Sequence, residues 1–280
     1  MTEGRVWGEW AAELGDVDVE GLAALEDALG AGDGLPRGPV VDVHTHLGRD
    51  ADGHHLAPEA LLADMDRHGV ARAVCFPANE PGDGVPFEAA NHAVCQAARR
   101  YPDRIVPFCR ADPLHLGMDA VERAAADGAR GLKLHPVAQG FSPDAPVVVA
   151  LVEAATERGW PVLFHAGYGA RALARPFATL LDAVPSARVI LAHAARGDAR
   201  DVWDMARERP NVWWDTSLAA LVDVVQLPPS RLLFGVDRPY GEHATARQLV
   251  SLAARVAGWS RRDVEAVLWG NAERLLGRAT

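Results

Sequence analysis

The chain has 280 residues, 49% of them hydrophobic, with a formal net charge of −10 and a pI near 5.5. That balance argues against nucleic acid or an anionic membrane surface as a partner, because both repel an acidic protein, and no apolar run is long enough to span a bilayer. The length fits one large α/β domain better than two small ones. Cys75, Cys95 and Cys109 are odd in number and lack both C-x-x-C spacing and a disulfide framework, so they read as small buried hydrophobes in a reducing compartment. Glu3, Glu9 and Glu13 stand where a secretory signal would carry basic residues, and the expected location is cytoplasmic.

Residues 1–38 hold Trp7, Trp10, an Ala/Leu-rich patch from Val19 to Leu29 and the linker Gly32-Asp33-Gly34-Leu35-Pro36. They are expected to form an N-terminal helical extension that covers the core or a partner subunit, so a homodimer is among the expected assemblies. From residue 39 to residue 280 a regular alternation follows. Strand-like Val/Ile/Leu/Phe runs at 40–46, 71–76, 104–110, 130–135, 161–166, 188–193, 211–216 and 231–237 are separated by segments with helical spacing. The helical segments are Pro58–His68, Phe87–Arg100, Met118–Ala126, Ala145–Arg158, Ala170–Ala183, Asp198–Arg207 and Thr245–Ala257, with Arg261–Leu276 closing the chain. Eight such units predict an α/β chain folded as a (β/α)8 TIM barrel. The rival, an open doubly wound sheet, usually has a Gly-rich turn after its first strand. Here that place holds His44-Thr45-His46.

In a strand, residues two apart point to one side, so His44 and His46 can share a metal ion. Alone, the pair is no more than two polar residues at a strand end. The later strand ends change this reading, because barrel chemistry gathers at the carboxyl ends. They carry Arg110, then Lys133 and His135, then His165, His193, Asp215 and Asp237. Five of the chain's 11 histidines fall on such ends, which a random scatter would rarely produce.

The ordered set Asp42-x-His44-x-His46, Arg110-x-Asp112-Pro113, Gly131-x-Lys133-x-His135-Pro136, His165-Ala-Gly, His193, Gly235-x-Asp237 and Gly270-Asn271-Ala272 resembles the amidohydrolase superfamily. Within it, the match is to the branch of non-oxidative decarboxylases of the aminocarboxymuconate semialdehyde type. The resemblance implies one divalent metal held by His44, His46, His165 and Asp237. It also implies His193 beside the metal as general acid or base, so His193 and Asp237 are the expected catalytic residues. Three imidazoles and a carboxylate suit Zn²⁺, or Mn²⁺ and similar cations, and leave coordination room for water or a substrate oxygen. One departure is Arg238-Pro239-Tyr240 after Asp237, where family members often have an aromatic residue directly. It bears on the substrate and leaves the metal set intact.

Arg110, Lys133, His135, Tyr168 and Arg238 are the expected substrate-binding residues. The arginines on or just past strand ends suit a small carboxylate-bearing molecule. His54, His55 and His243 lie in predicted loops and are expected to face solvent. The favoured activity is hydrolysis of an amide, lactone or related bond. The alternatives are decarboxylation of an aromatic or unsaturated acid and a non-catalytic ligand-binding barrel. Lys133 is the one lysine beside 27 arginines, which suggests a task that Arg cannot perform. Its strand phase points it inward, as an ammonium paired with Asp42 or the substrate, or as a carbamate bridging two metals. The Gly-x-Lys-x-His-Pro context favours the uncarboxylated form.

Overall fold

The computed structural model describes residues 34–79 and 84–277. The proposed helix between Val19 and Leu29 lies outside them. The strands are β1 (Val40–Arg49), β2 (His55–Leu56), β3 (Val70–Pro77), β4 (Ile105–Pro107), β5 (Cys109–Arg110), β6 (Leu132–Leu134), β7 (Pro161–Phe164), β8 (Arg188–Leu191), β9 (Val212–Asp215) and β10 (Leu232–Leu233). They form one sheet in the order β2-β1-β3-β4 and another in the order β10-β9-β8-β7-β6-β5. All pairings are parallel except that of β2, a short antiparallel addition to the end of β1.

Backbone hydrogen bonds join the two sheets on both sides. At one seam the Phe108 N–H donates to the Cys75 carbonyl and the Cys109 N–H to the Gly131 carbonyl, each at 2.8 Å. The predicted strand 104–110 is therefore one strand interrupted at Phe108. Its neighbour Gly131 is obligatory, because a Cβ there would lie 2.4 Å from the Phe108 ring. At the other seam the Val43 N–H reaches the Phe234 carbonyl (2.9 Å), the Asp237 N–H reaches that of His44 (2.7 Å), and the His46 N–H reaches that of Arg238 (2.8 Å). Eight parallel strands thus complete the ring of a TIM barrel, as the periodicity predicts.

The interior reads as continuous apolar runs because it is covered on all sides. Val41, Val43, Val74, Phe76, Val106, Phe108, Leu163, Ile190 and Leu233 pack into one cluster, which Ala272 and Leu275 of the last helix (Asn271–Leu276) close from below. Full burial of each large apolar side chain stabilises by about 1.5–3 kcal/mol, so this cluster fixes the frame that the polar strand ends stand on. The three cysteines are buried free thiols. Most helices match their expected spans, with two exceptions. The segment expected from Ala170 begins at Ala174, because Tyr168 and Ala172 adopt left-handed conformations in the preceding loop. The closing helix is split into Arg261–Glu265 and Asn271–Leu276 by a wider turn at Ala266–Gly270. No helix among the described residues is long and apolar enough to cross a membrane.

Candidate metal centre

His44 and His46 stand on β1 where its pairing with β3 slips between Asp42 and Thr45, a bulge that re-aims the side chains. Both Nε2 atoms turn to one carboxylate oxygen of Asp237, His46 at 3.1 Å and His44 at 3.3 Å. Asp237 follows β10 and is held in place by its N–H bond to the His44 carbonyl. Its φ of 68° lies in the left-handed region, as does that of His193 at 58°. Such backbone conformations cost energy in non-glycine residues and concentrate at functional sites. Gly235 lets this loop come close, since a Cβ there would lie 3.2 Å from the Cβ atoms of both His44 and Asp215.

The donor set fits a cation. Among the described residues, His44, His46 and Asp237 form a buried group whose ligand atoms lie within 4.8 Å of one another. Asp237 Oδ1, buried between two imidazoles, has no hydrogen-bond partner there, and neither does His46 Nδ1. An ionised carboxylate oxygen left unpaired in the interior is costly, and a metal ion relieves that cost. Burial pushes the Asp237 carboxyl up, but His44, His46 and His193 outweigh it and hold the group well below the usual carboxylate range. Burial also presses His46 down to about 4, which keeps it neutral and ligand-competent. On the far side of His44, its Nδ1–H donates to Asp215 Oδ2 at 2.8 Å, which fixes the tautomer and leaves the Nε2 lone pair facing Asp237. This carboxylate–imidazole arrangement orients metal-binding histidines. Burial pushes Asp215 up too, and His44, His193 and Ser217 together bring it down to about 2.

His165 lies outside the group of three. Its Nε2 meets the Gly167 carbonyl at 2.5 Å and its Nδ1 meets His193 Nε2 at 3.2 Å. His193 Nδ1 in turn faces the Ser217 carbonyl at 2.8 Å. If both outer nitrogens donate to these carbonyls, the two neutral rings turn lone pairs on each other across 3.2 Å. Burial lowers His165 to about 3 and His193 to about 4, so a shared proton is disfavoured at neutral pH.

A cavity of about 350 Å³ opens over the group, lined by Arg110, Lys133, His135, Tyr168, Asp50 and Asn79 among others. Arg110 is fully buried. One of its nitrogens donates to Asn79 Oδ1 at 2.8 Å, while Nε and Nη1 have no partner among the described residues. Burial lowers it to about 10, so it stays charged. Lys133 Nζ lies 3.3 Å from His44 Nε2 and over the Phe76 ring. Burial presses Lys133 down to about 7 against the pull of Asp237 and Asp215. Asp42, its expected partner, instead accepts from the His44 N–H, the Thr45 hydroxyl and the Val236 N–H. His135 stacks on His165 at 3.9 Å and accepts the Ala138 N–H at Nδ1, leaving Nε2–H free to donate.

Tyr168 presents its ring to the cavity, but its hydroxyl is engaged by the Leu218 carbonyl and Arg196. Arg238, expected at the substrate, does not line the cavity. Asp64 and Glu242 draw it away, at 3.2 and 2.9 Å. His243, expected in solvent, is fully buried and bonds Asp64 at 2.7 Å. Both corrections share a cause: Asp64, on the helix Pro58–His68, supplies a buried negative charge that no local pattern announces. The roles of Asp215, Ser217 and Asn79 were not anticipated. Only Asp215 gave a signal, as a strand-end acid.

The amidohydrolase family model (Amidohydro_2) matches residues 41–278, nearly the whole of the barrel. The chain belongs to this family. The fold of this chain is shared with solved structures of low sequence identity. One is a 2,6-dihydroxybenzoate decarboxylase from Rhizobium, with 17% identity and a TM-score of 0.65 over 85% of this chain and 98% of that one. A second is a dihydroxybenzoic acid decarboxylase from Polaromonas sp. JS666 with bound manganese and 2-nitroresorcinol, with 16% identity and a TM-score of 0.66 over 86% and 98%. A third is a "probable 2-pyrone-4,6-dicarboxylic acid hydrolase" from Acinetobacter baumannii with citric acid bound, with 15% identity and a TM-score of 0.62 over 86% and 100%. No curated protein matches this chain. Members of its family are enzymes acting on small molecules.

Proposed function

We propose that this amidohydrolase is a metal-dependent hydrolase of a small carboxylate-bearing substrate, cleaving an amide, lactone or related bond. The observation that carries the reading is Arg110: a buried guanidinium with two donors unpartnered among the described residues, facing the same cavity as His44, His46 and Asp237. An unpaired buried guanidinium calls for an anion, and a carboxylate is its natural complement. A carboxylate held this way is stabilised in its charged form, which opposes its loss as carbon dioxide and favours reaction at another bond. The Acinetobacter hydrolase, with citric acid bound, supports the same substrate chemistry.

A divalent ion would be held by His44, His46 and Asp237, with His165 as the expected fourth ligand, and would supply Lewis acidity that polarises a carbonyl and acidifies water. Zinc fits the donors, and the manganese of the Polaromonas structure makes Mn²⁺ the main rival. The residues of the chain do the rest. Arg110 anchors the carboxylate, and the His135 Nε2–H points a donor at the substrate. His193, its Nδ1–H committed to the Ser217 carbonyl, takes the proton of the attacking water at Nε2 and returns it to the leaving group.

The test is a screen of the metal-loaded protein against carboxylate-bearing lactones and amides, read by acid release. A parallel panel of aromatic and unsaturated acids is read by carbon dioxide. Hydrolysis is expected, with Arg110→Gln raising KM for the acid and not for its methyl ester. Carbon dioxide release without hydrolysis would replace this reading with the decarboxylase, and turnover in neither panel would make the barrel a binding protein.

A further inference from the structure

A second concavity lies at the opposite end of the barrel, where the strands begin. It has a volume of about 460 Å³ and is lined by Arg130, Arg158, Arg188 and Arg274, with Trp160 and Leu275 in its wall. Arg130 precedes β6, Arg158 ends the helix Pro146–Glu157, Arg188 opens β8, and Arg274 lies on the last helix. Among the described residues, no side-chain carboxylate lines it. This is unusual in a chain of net charge −10, whose other arginines are widely paired: Arg100 with Glu59, Arg104 with Asp66, Arg123 with Glu88 and Arg209 with Asp182.

Three of the four guanidiniums are held chiefly by main-chain oxygens. Arg188 donates to the Leu275 carbonyl at 2.7 Å, Arg158 to that of Ala154 at 2.8 Å, and Arg274 to that of Ser230 at 3.5 Å and to Asn271 Oδ1. A carbonyl fixes a guanidinium without neutralising it, and each group keeps further N–H donors for the cavity. Arg188 is half-buried, and the only influence on its acidity is that burial. At the rim the positive charge of Arg130 acts against Arg72, and Glu273 and Asp103 compensate Arg72. Guanidiniums from four elements lining one cavity offer an anion positive charge and N–H donors from several sides.

We infer that this cavity binds a small, multiply charged phosphoryl anion at the end of the barrel away from the metal centre. The geometry selects phosphoryl over carboxylate. A carboxylate offers two acceptors in one plane to a single fork, whereas a phosphoryl group spreads its oxygens in space and meets donors arriving from four separate elements. The apolar wall leaves room for an uncharged portion of the ligand.

Calorimetric titration of the full-length, metal-loaded protein with sodium pyrophosphate tests the site, with citrate as the carboxylate arm. One saturable pyrophosphate site per chain is expected, weakening with added salt and tighter than citrate. Arg188→Gln should weaken it at least tenfold. Because Arg188 also ties down the last helix, the solvent-facing double variant Arg130→Gln/Arg158→Gln provides a second reading, with the same loss expected and metal content unchanged. Absence of saturable binding, undiminished binding in the double variant, or tighter binding of citrate would each overturn the assignment.

Discussion

Asp215 Oδ2 accepts the Nδ1–H of His44 at 2.8 Å, while the opposite nitrogen of the same ring faces Asp237 Oδ1 at 3.3 Å. One carboxylate therefore sets the tautomer, and a second stands where His44 would share a cation with it. Asp215 does more than hold one ring. Its other oxygen accepts the N–H groups of His193 and Ser217, both at 3.0 Å, so His193 is placed by the same residue.

Replacing Asp215 with Asn keeps the size but removes the charge and one acceptor. Metal affinity should fall by about 10- to 100-fold, the usual cost of losing such an outer carboxylate. Competition with a chromogenic chelator measures it. An affinity within twofold of the unaltered protein would mean that His44 keeps its orientation without Asp215.

His193→Ala separates the base from the ligands. With His193 assigned as acid or base and not as a ligand, the variant should retain its metal and lose turnover by about 100-fold or more. His44→Ala should instead lose the metal. Elemental analysis beside a turnover assay decides between them, and equal metal loss in both variants would place His193 on the ion.

The barrel and most of its polar centre were legible in the sequence because the chemistry interrupts apolar runs. A histidine or aspartate ending a Val/Ile/Leu strand stands out, and position along the strand gives its place at the mouth. What a strand end cannot reveal is the angle of approach between distant elements. That Asp215 meets His44 depends on closure of the ring through β10, and that Arg238 and His243 turn from the mouth depends on Asp64, which is 179 residues from His243 in sequence. The unpaired donors of Arg110 were equally invisible, since they follow from Asn79 reaching one guanidinium nitrogen and no other described residue reaching Nε or Nη1.

His243 gives a pH-dependent prediction. It bonds Asp64 at 2.7 Å and lies 3.6 Å from Asp42, too far for a hydrogen bond but close enough for strong attraction in the interior. Burial lowers its pKa, and Asp42 and Asp64 overcome this and raise it above 6.5. A pKa higher in the folded than in the unfolded state means that the stabilisation is fully present below about pH 6.5 and is lost as pH rises through the folded value. His243→Asn should therefore cost about 3 kcal/mol near pH 6, as expected for breaking a buried charge pair, and less at pH 9. Denaturant melts at the two pH values measure this, and a cost that does not shrink at high pH would show that His243 acts by packing alone.

The last prediction concerns the stoichiometry of the metal. Lys133 Nζ sits 4.8 Å from the centroid of the Phe76 ring and 3.3 Å from His44 Nε2. An ammonium is attracted to the negative face of an aromatic ring, and here it also lies in the field of Asp237 and Asp215. A carbamate would set a negative charge against that ring and those two carboxylates, and only a pair of metal ions could compensate it. The surroundings of Lys133 thus favour the amine, and the site should bind one divalent ion per chain. Titration with zinc or manganese, with and without added bicarbonate, checks this. One equivalent is expected under both conditions, with Lys133→Ala still binding it. A second equivalent that requires bicarbonate and disappears in Lys133→Ala would identify the carbamate instead.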